Sequence, residues 1–448
     1  MNVAVLKTKA EQALSESFAS AAAALPGSAE IRRLRLDAMS RFGALGLPTR
    51  RVEAWKYTDL RNALKDALPA PPTKAPKARP ADVEAALGPL AAVEAHRVVF
   101  IDGQYAPDLS ALVADGTVTV ASLATLLDSD ASAAELLDAS AHDDDAVLAL
   151  NIAYAGDGAV VDIAPLADLD RPVLLVFVRA AEEPSFAAVR NVVRVGEGAL
   201  ATVVEAHVTL PKAAKDFQLN TATKVIVGKG AKLAHLKCTL EAGGGTHLSN
   251  WLTELGPDAD YRGFQLTAGT LLARNQIAVT FAGEGAAIDL SGAFLGRGAE
   301  HIDTTLVVDH AVPQCTSREL FKGVLEDRAR GVFQGKVIVR PDAQKTDGKQ
   351  MAQVLMLSPD CEFDSKPELE IYADDVVCGH GSTSADLDED LVFYCRSRGI
   401  PEPEARALLI ESFIGEALEK VEHDALRSAL AELAHNWLRH AAPAGGDA

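Results

Sequence analysis

Cysteine is scarce in this chain of 448 residues, and the five present do not suit a disulfide framework. Cys238, Cys315, Cys361, Cys378 and Cys395 are odd in number, and none forms a C-x-x-C pair, so a reducing compartment fits best. Long apolar runs are missing as well. The longest strongly apolar one, Val173-Leu174-Leu175-Val176-Phe177-Val178, is far too short to span a bilayer. The N-terminus has no basic segment followed by a secretory apolar core. These absences predict a cytoplasmic protein with no membrane partner. Basic charge is in deficit: 43 Lys and Arg stand against 63 Asp and Glu, for a net charge of −20. No clustered basic stripe offsets it, so a phosphate backbone would be repelled and nucleic acid is not an expected partner.

Catalytic fingerprints are missing too. Gly335-Lys336 has neither the upstream glycine nor the following hydroxyl residue of a G-x-x-x-x-G-K-[S/T] phosphate loop, so the chain should not hydrolyse ATP by itself. No G-x-G-x-x-G opens a helix after a strand, and neither a G-x-S-x-G elbow nor an H-E-x-x-H helix occurs. The chain reads as a non-catalytic subunit. A free-standing carbohydrate-active β-helix enzyme would need a carboxylate constellation that is not evident.

What remains is a well-packed composition, 48% hydrophobic and 24% charged. The length exceeds one ordinary core, so several domains or a stacking repeat is expected. Residues 1–68 read as a helical N-terminal arm, with two helices joined at Pro26-Gly27. Residues 69–80 are proline-rich and predict an extended linker. Residues 81–157 form a mixed α/β lead-in, with a strand at Val98-Val99-Phe100-Ile101 and a helical stretch near Leu123–Leu150.

Residues 158–385 change to short β-branched runs divided by a recurring glycine turn. Gly196-Glu197-Gly198-Ala199, Gly228-Lys229-Gly230-Ala231, Gly256-Pro257-Asp258-Ala259 and Gly283-Glu284-Gly285-Ala286 start 32, 28 and 27 residues apart, and Gly296-Arg297-Gly298-Ala299 is related. Glycine permits positive φ at the turn, and alternation such as Ile288-Asp289-Leu290-Ser291 sends one set of side chains inward. A mainly β chain built as a parallel β-helix or related solenoid meets these constraints. Because the spacing is irregular, a twisted sandwich is the competing reading.

Residues 386–448 return to helix. Acidic residues from Asp386 to Asp390 mark a helix start, and Pro401-Glu402-Pro403-Glu404 marks another. Leu409, Phe413, Ala417 and Val421 then recur at spacing four, flanked by Leu408, Ile410, Ile414 and Leu418. This wide apolar face either packs on the solenoid or docks a partner. A last helix carries Leu426, Leu430, Leu433 and Trp437.

One local pattern has reactive potential: Cys378-Gly379-His380-Gly381. A thiolate is a soft ligand suited to iron–sulfur species and an imidazole a borderline one; two residues apart on a strand, they share a side. Two groups do not complete a four-ligand shell, so further ligands must come from elsewhere, and the plainer reading is a free cysteine beside a surface histidine. Cys361, Cys378 and Cys395 are spaced by 17 residues, a coincidence because the last falls on a helix. Cys238 and Cys315 read as buried small apolar side chains. His235, His247, His301 and His310 show no ligand spacing and receive no role.

At this point several separated blocks resemble the SufD family of the bacterial SUF machinery for iron–sulfur cluster assembly. They are Pro48-Thr49-Arg50-Arg51-Val52-Glu53-Ala54-Trp55-Lys56-Tyr57, Phe321-Lys322-Gly323-Val324-Leu325, Gly331-Val332-Phe333-Gln334-Gly335-Lys336, Ala343-Gln344-Lys345-Thr346-Asp347, Asp364-Ser365-Lys366-Pro367-Glu368, Cys378-Gly379-His380-Gly381 and Phe393-Tyr394-Cys395-Arg396. The resemblance implies a right-handed parallel β-helix between helical ends, paired with a SufB-like paralogue and bound by a SufC-like ABC ATPase. It implies that the C-terminal helix bearing Leu408, Leu409, Phe413, Ala417 and Val421 engages the ATPase. Cys378 and His380 match the family's Cys-x-His-Gly element, implicated in the nascent cluster or its iron at the interface between paralogues. Glycine here fills the middle position, often serine in relatives. The family complex also associates with reduced flavin, for which no site is evident here, and supports iron acquisition. The sulfur-accepting cysteine is expected in the SufB-like partner. A β-helix homodimer without metal chemistry is the alternative outside this resemblance.

Overall fold

Helix-start chemistry organises the N-terminal region. In this computed structural model, which describes residues 7–70, 76–112, 116–129 and 133–439, Thr8 and Glu11 form a capping box on α1 (Lys9–Ala21) and Ser28 caps α2 (Ala29–Leu45). Short helices α3 (Leu60–Ala63) and α4 (Pro80–Leu87) follow, the latter with proline in its first turn. Residues 71–75, the centre of the proline-rich segment, lie outside the described residues. The residues just before them are tied down: Leu68 N–H donates to Gln218 Oε1 at 3.1 Å, and Phe186 N–H to Pro69 O at 2.7 Å.

Strands β1 (His96–Ile101), β2 (Gln104–Tyr105) and β3 (Val118–Ser122) lead in, followed by helices α5 (Leu123–Ser129), α6 (Ala134–Leu137) and α7 (Ala146–Tyr154). The single helical stretch expected near Leu123–Leu150 is thus broken. Asp145 starts the last piece afresh, its side chain accepting from Val147 and Leu148 N–H.

Eight two-strand coils come next. β4 (Ala159–Ile163) and β5 (Val173–Arg179) make the first. β6 (Ser185–Val195) with β7 (Leu200–Thr209), β8 (Phe217–Val227) with β9 (Lys232–Thr239), β10 (Gly243–Leu255) with β11 (Asp260–Ala268), and β12 (Thr270–Phe281) with β13 (Ala287–Gly296) make four more. β14 (His301–His310) with β15 (Thr316–Leu325), β16 (Arg330–Val339) with β17 (Asp347–Met356), and β18 (Glu362–Ile371) with β19 (Val377–Ala385) complete the stack. From β4 onward every even strand pairs in parallel with the next even one, and every odd strand from β5 with the next odd one. The chain is therefore mainly β, with a parallel solenoid core and helices at both ends. Its cross-section is two facing sheets, which explains why a sandwich competed with a solenoid at the level of pattern.

The recurring turn sits at one corner. In the four turns beginning at Gly196, Gly228, Gly256 and Gly283 the third residue has positive φ: Gly198 (66°), Gly230 (62°), Asp258 (56°) and Gly285 (75°). That geometry lets the N–H reach the adjacent coil: Gly198 donates to Lys229 O at 2.9 Å and Gly230 to Pro257 O at 2.8 Å. The unequal spacing arises at the opposite corner, where the connections shorten from residues 210–216 to 240–242 to Gly269 alone. The Gly296 turn lies at that opposite corner, between β13 and β14.

Core residues such as Val161, Val193, Val225 and Leu290 meet between the sheets. The two outer faces are covered by helices. α1, α2 and α7 lie over the even-strand face, with Phe18, Ile31, Phe42, Phe186 and Val192 in one buried cluster. α4 and the C-terminal helices cover the odd-strand face around Leu236, Phe264, Leu295 and Val324. Among the described residues no strand pairs with the free edges of β18 and β19, and none of their side chains is fully buried. The solenoid ends open.

Candidate functional site at the open coil

β19 pairs in parallel with β17, placing Cys378 beside Gly348 and His380 beside Gln350. One coil further in, Ser317 and Glu319 of β15 stand beside Gly348 and Gln350. The Cys378 thiol packs at the end of the core between the sheets. A Cβ added to Gly348 would meet Ser317 Oγ at 3.3 Å and Cys378 Sγ at 3.7 Å, so the glycine makes space between these two side chains. By strand alternation His380 shares the Cys378 face, and it is exposed. The structure thus brings together the two residues singled out from sequence.

Cys378, His380, Glu319, Gln350 and Lys420 line an open cleft of about 420 Å³. Burial raises the Cys378 thiol pKa, with the Gly348 amide opposing and the Asp347 and Glu319 charges adding to the rise. At neutral pH it is a thiol, and a metal binding there must displace its proton. Glu319 was not anticipated. It is 3% exposed, neither carboxylate oxygen has a hydrogen-bond partner, and burial pushes its pKa up to about 8. Gln350 is also buried with both amide atoms unpartnered. A Cβ on Gly335 would fall 2.1 Å from Gln350 Nε2, so that glycine gives the amide room. The signal was present in β15: Ser317, Glu319 and Phe321 alternate inward, which sends a carboxylate into the core.

The family profile described as the SUF system FeS cluster assembly SufBD core domain matches residues 177–413, and that of the SufBD protein N-terminal region matches residues 8–175. The chain belongs to the SufBD family. A SufBD family protein of Synechocystis is 30% identical over 409 residues, covering 88% of each chain. Escherichia coli SufD is 30% identical over 399 residues, covering 85% of this chain and 87% of that one. Bacillus subtilis SufD is 26% identical over 292 residues, 64% and 66% of the two chains. This SufBD protein is an iron–sulfur cluster assembly protein.

The remaining expected residues are dispersed differently. Helices α8 (Glu389–Ser397), α9 (Glu402–Leu418) and α10 (Asp424–Arg439) follow the solenoid. On α9, Ala417 is buried, as is Val421 just beyond it, while Leu409 and Phe413 are half-buried against the odd-strand face and Leu408 is 46% exposed. The C-terminal helices of this SufBD protein are held by charge as well. Lys322 pairs with Glu416 and lies 4.2 Å from the Phe413 ring centre, Lys420 meets Asp289 at 3.0 Å, and Arg297 stacks 3.9 Å over Trp437. Beside Leu408, the exposed apolar surface here belongs to α8: Leu391, Phe393 (71%) and Tyr394.

Cys361, Cys378 and Cys395 fall near a corner, on β19 and on α8, and share no element. Cys238 and Cys315 are buried, with the Cys238 thiol pushed up to about 12 by burial. No helix among the described residues is long and apolar enough to cross a membrane.

Proposed function

We propose that this protein is a scaffold subunit for iron–sulfur cluster biogenesis, pairing with a SufB-like paralogue through its open coil and carrying a SufC-like ABC ATPase on its C-terminal helices. The supporting observation is the free edge: Cys378 and His380 lie on the last strand, beside the exposed apolar residues Tyr372 and Val377, 60% and 61% exposed. An unpaired edge flanked by apolar surface is a template for strand addition. Pro367 deprives β18 of one N–H donor, whereas β19 contains no proline, so β19 leads the pairing. A paralogue docked there supplies ligands that two side chains alone cannot, and the cluster forms as shared cargo.

The ATPase surface combines exposed Leu391, Phe393, Tyr394 and Leu408 with Leu409, Phe413, Ala417 and Val421 supporting them from beneath. ATP binding and hydrolysis belong to that partner, whose closure changes the interface and exposes the assembly site. Iron acquisition draws on the same complex, and this reading gives reduced flavin no place in the chain.

Separate Cys378→Ala and His380→Ala variants, co-expressed with both partners, should assemble normally yet lose cluster maturation, read by iron and sulfide content and visible absorption. Normal maturation in both refutes the site. Recovery of a homodimer alone, without paralogue or iron, supports the purely structural alternative.

A further inference from the structure

A second cluster of metal-binding side chains lies inside the solenoid and shares no residue with the open coil. His207 projects inward from β7, Glu241 stands in the corner between β9 and β10, and His247 projects inward from β10 in the opposite sheet. Each offers one ligand atom, and the three atoms lie within 4.8 Å of one another. All three side chains are essentially inaccessible, at 0%, 0% and 1% exposure. The ligands therefore come from both sheets and from the corner that joins them, a backbone with little freedom to rearrange.

Hydrogen bonding accounts for only part of this grouping. Neither Nδ1 nor Nε2 of His207 has a partner, and Glu241 Oε1 has none. Glu205 Oε2 stays 3.8 Å from His207 Nε2, beyond hydrogen-bond reach. Leaving such atoms unpaired in a core is destabilising. His247 differs: its Nδ1 lies 2.7 Å from Glu241 Oε2 and its Nε2 lies 2.9 Å from Thr221 Oγ1. In the metal-free chain Nδ1–H donates to Glu241 Oε2 and Nε2 accepts from the Thr221 hydroxyl; a cation taking Nδ1 displaces that proton and leaves Thr221 to accept from Nε2–H, the outer hydrogen bond that commonly orients a metal-bound imidazole.

We propose that His207, Glu241 and His247 form a buried site for one divalent transition cation of the zinc or ferrous-iron class. Two imidazoles and one carboxylate suit borderline cations and disfavour magnesium or calcium, which take all-oxygen shells. Glu241 also lines a small cleft with Phe177, Arg179 and Gln218. The cation cross-links the two sheets near the N-terminal end of the stack. Its role is independent of cluster assembly at Cys378 and His380.

The full-length chain, stripped with a chelator, is titrated anaerobically with Co²⁺ alone, following its visible absorption, and with Zn²⁺ alone, following bound metal. One equivalent with a tetrahedral Co²⁺ spectrum is expected, unchanged in a Cys378→Ser/His380→Ala double variant. Glu241→Gln and His207→Gln should weaken binding at least about tenfold and abolish the thermal stabilisation by Zn²⁺. No bound equivalent in the double variant, or undiminished affinity in both core variants, overturns the site. Should the core variants fail to fold, anomalous diffraction from Zn²⁺-soaked crystals of the unaltered protein decides. A peak among the three side chains supports the site; only an ordered water there overturns it.

Discussion

Glu319 occupies an inward position on β15 with both oxygens unpartnered, and its pKa is raised by burial to about 8. A folded-state value above the unfolded one contributes stability that is fully present below the unfolded pKa and is lost as pH rises through the folded one. This group alone should therefore make stability fall between about pH 4.5 and pH 8. Glu319→Gln should flatten that slope and raise stability at pH 8 by ~1–3 kcal/mol, measured by denaturant unfolding at several pH values. An unaltered slope contradicts the assignment. The same residue illustrates what could be read from sequence. Cys378 and His380 stood out because their relation is local, two positions apart on one strand. Glu319 and Gln350 reach that site only through register across coils, and His207, Glu241 and His247 meet only because the strands stack. His247 accordingly received no role from spacing, although the coil geometry sets its ring 4.8 Å from that of His207.

The C-terminal helices separate two uses of apolar surface that periodicity left open. Ala417 and Val421 are buried within the chain, while Phe393 stands 71% exposed on α8. Phe393→Asp should lower affinity for the SufC-like ATPase at least about tenfold while changing stability by no more than ~0.5 kcal/mol, measured by titration calorimetry and thermal unfolding. Equal affinity would move the docking surface elsewhere. Phe413→Ala should instead destabilise the isolated chain by ~1–3 kcal/mol, because the ring packs on the odd-strand face and carries Lys322. At the free edge, Val377→Asp should leave the fold intact but weaken pairing with the paralogue, seen as a larger fraction of free chain in sedimentation. Helix starts at the C-terminal end were legible because Asp388 and Pro401 act locally. Which face each helix covers was not, because that depends on the width of a sheet formed by residues far away in sequence.

On the scale of the molecule, repetition was the legible property. Turns at Gly196, Gly228, Gly256 and Gly283 announced stacked coils because each needs positive φ at its third residue. Their unequal spacing obscured the repeat count, since the opposite corner absorbs insertions such as residues 210–216 at little cost. The completed stack is closed over both faces by helices and open at one end, and the open end carries the thiol and the imidazole. On the function proposed above, such a scaffold holds half of a site. The most direct test is the iron and acid-labile sulfide content of the anaerobically isolated chain, alone and in complex with its paralogue and ATPase. Shared-site assembly requires a cluster in the complex, none retained by the free chain, and none in a complex bearing the Cys378→Ala/His380→Ala double substitution. A cluster held equally by the free chain, or by the doubly substituted complex, would contradict it.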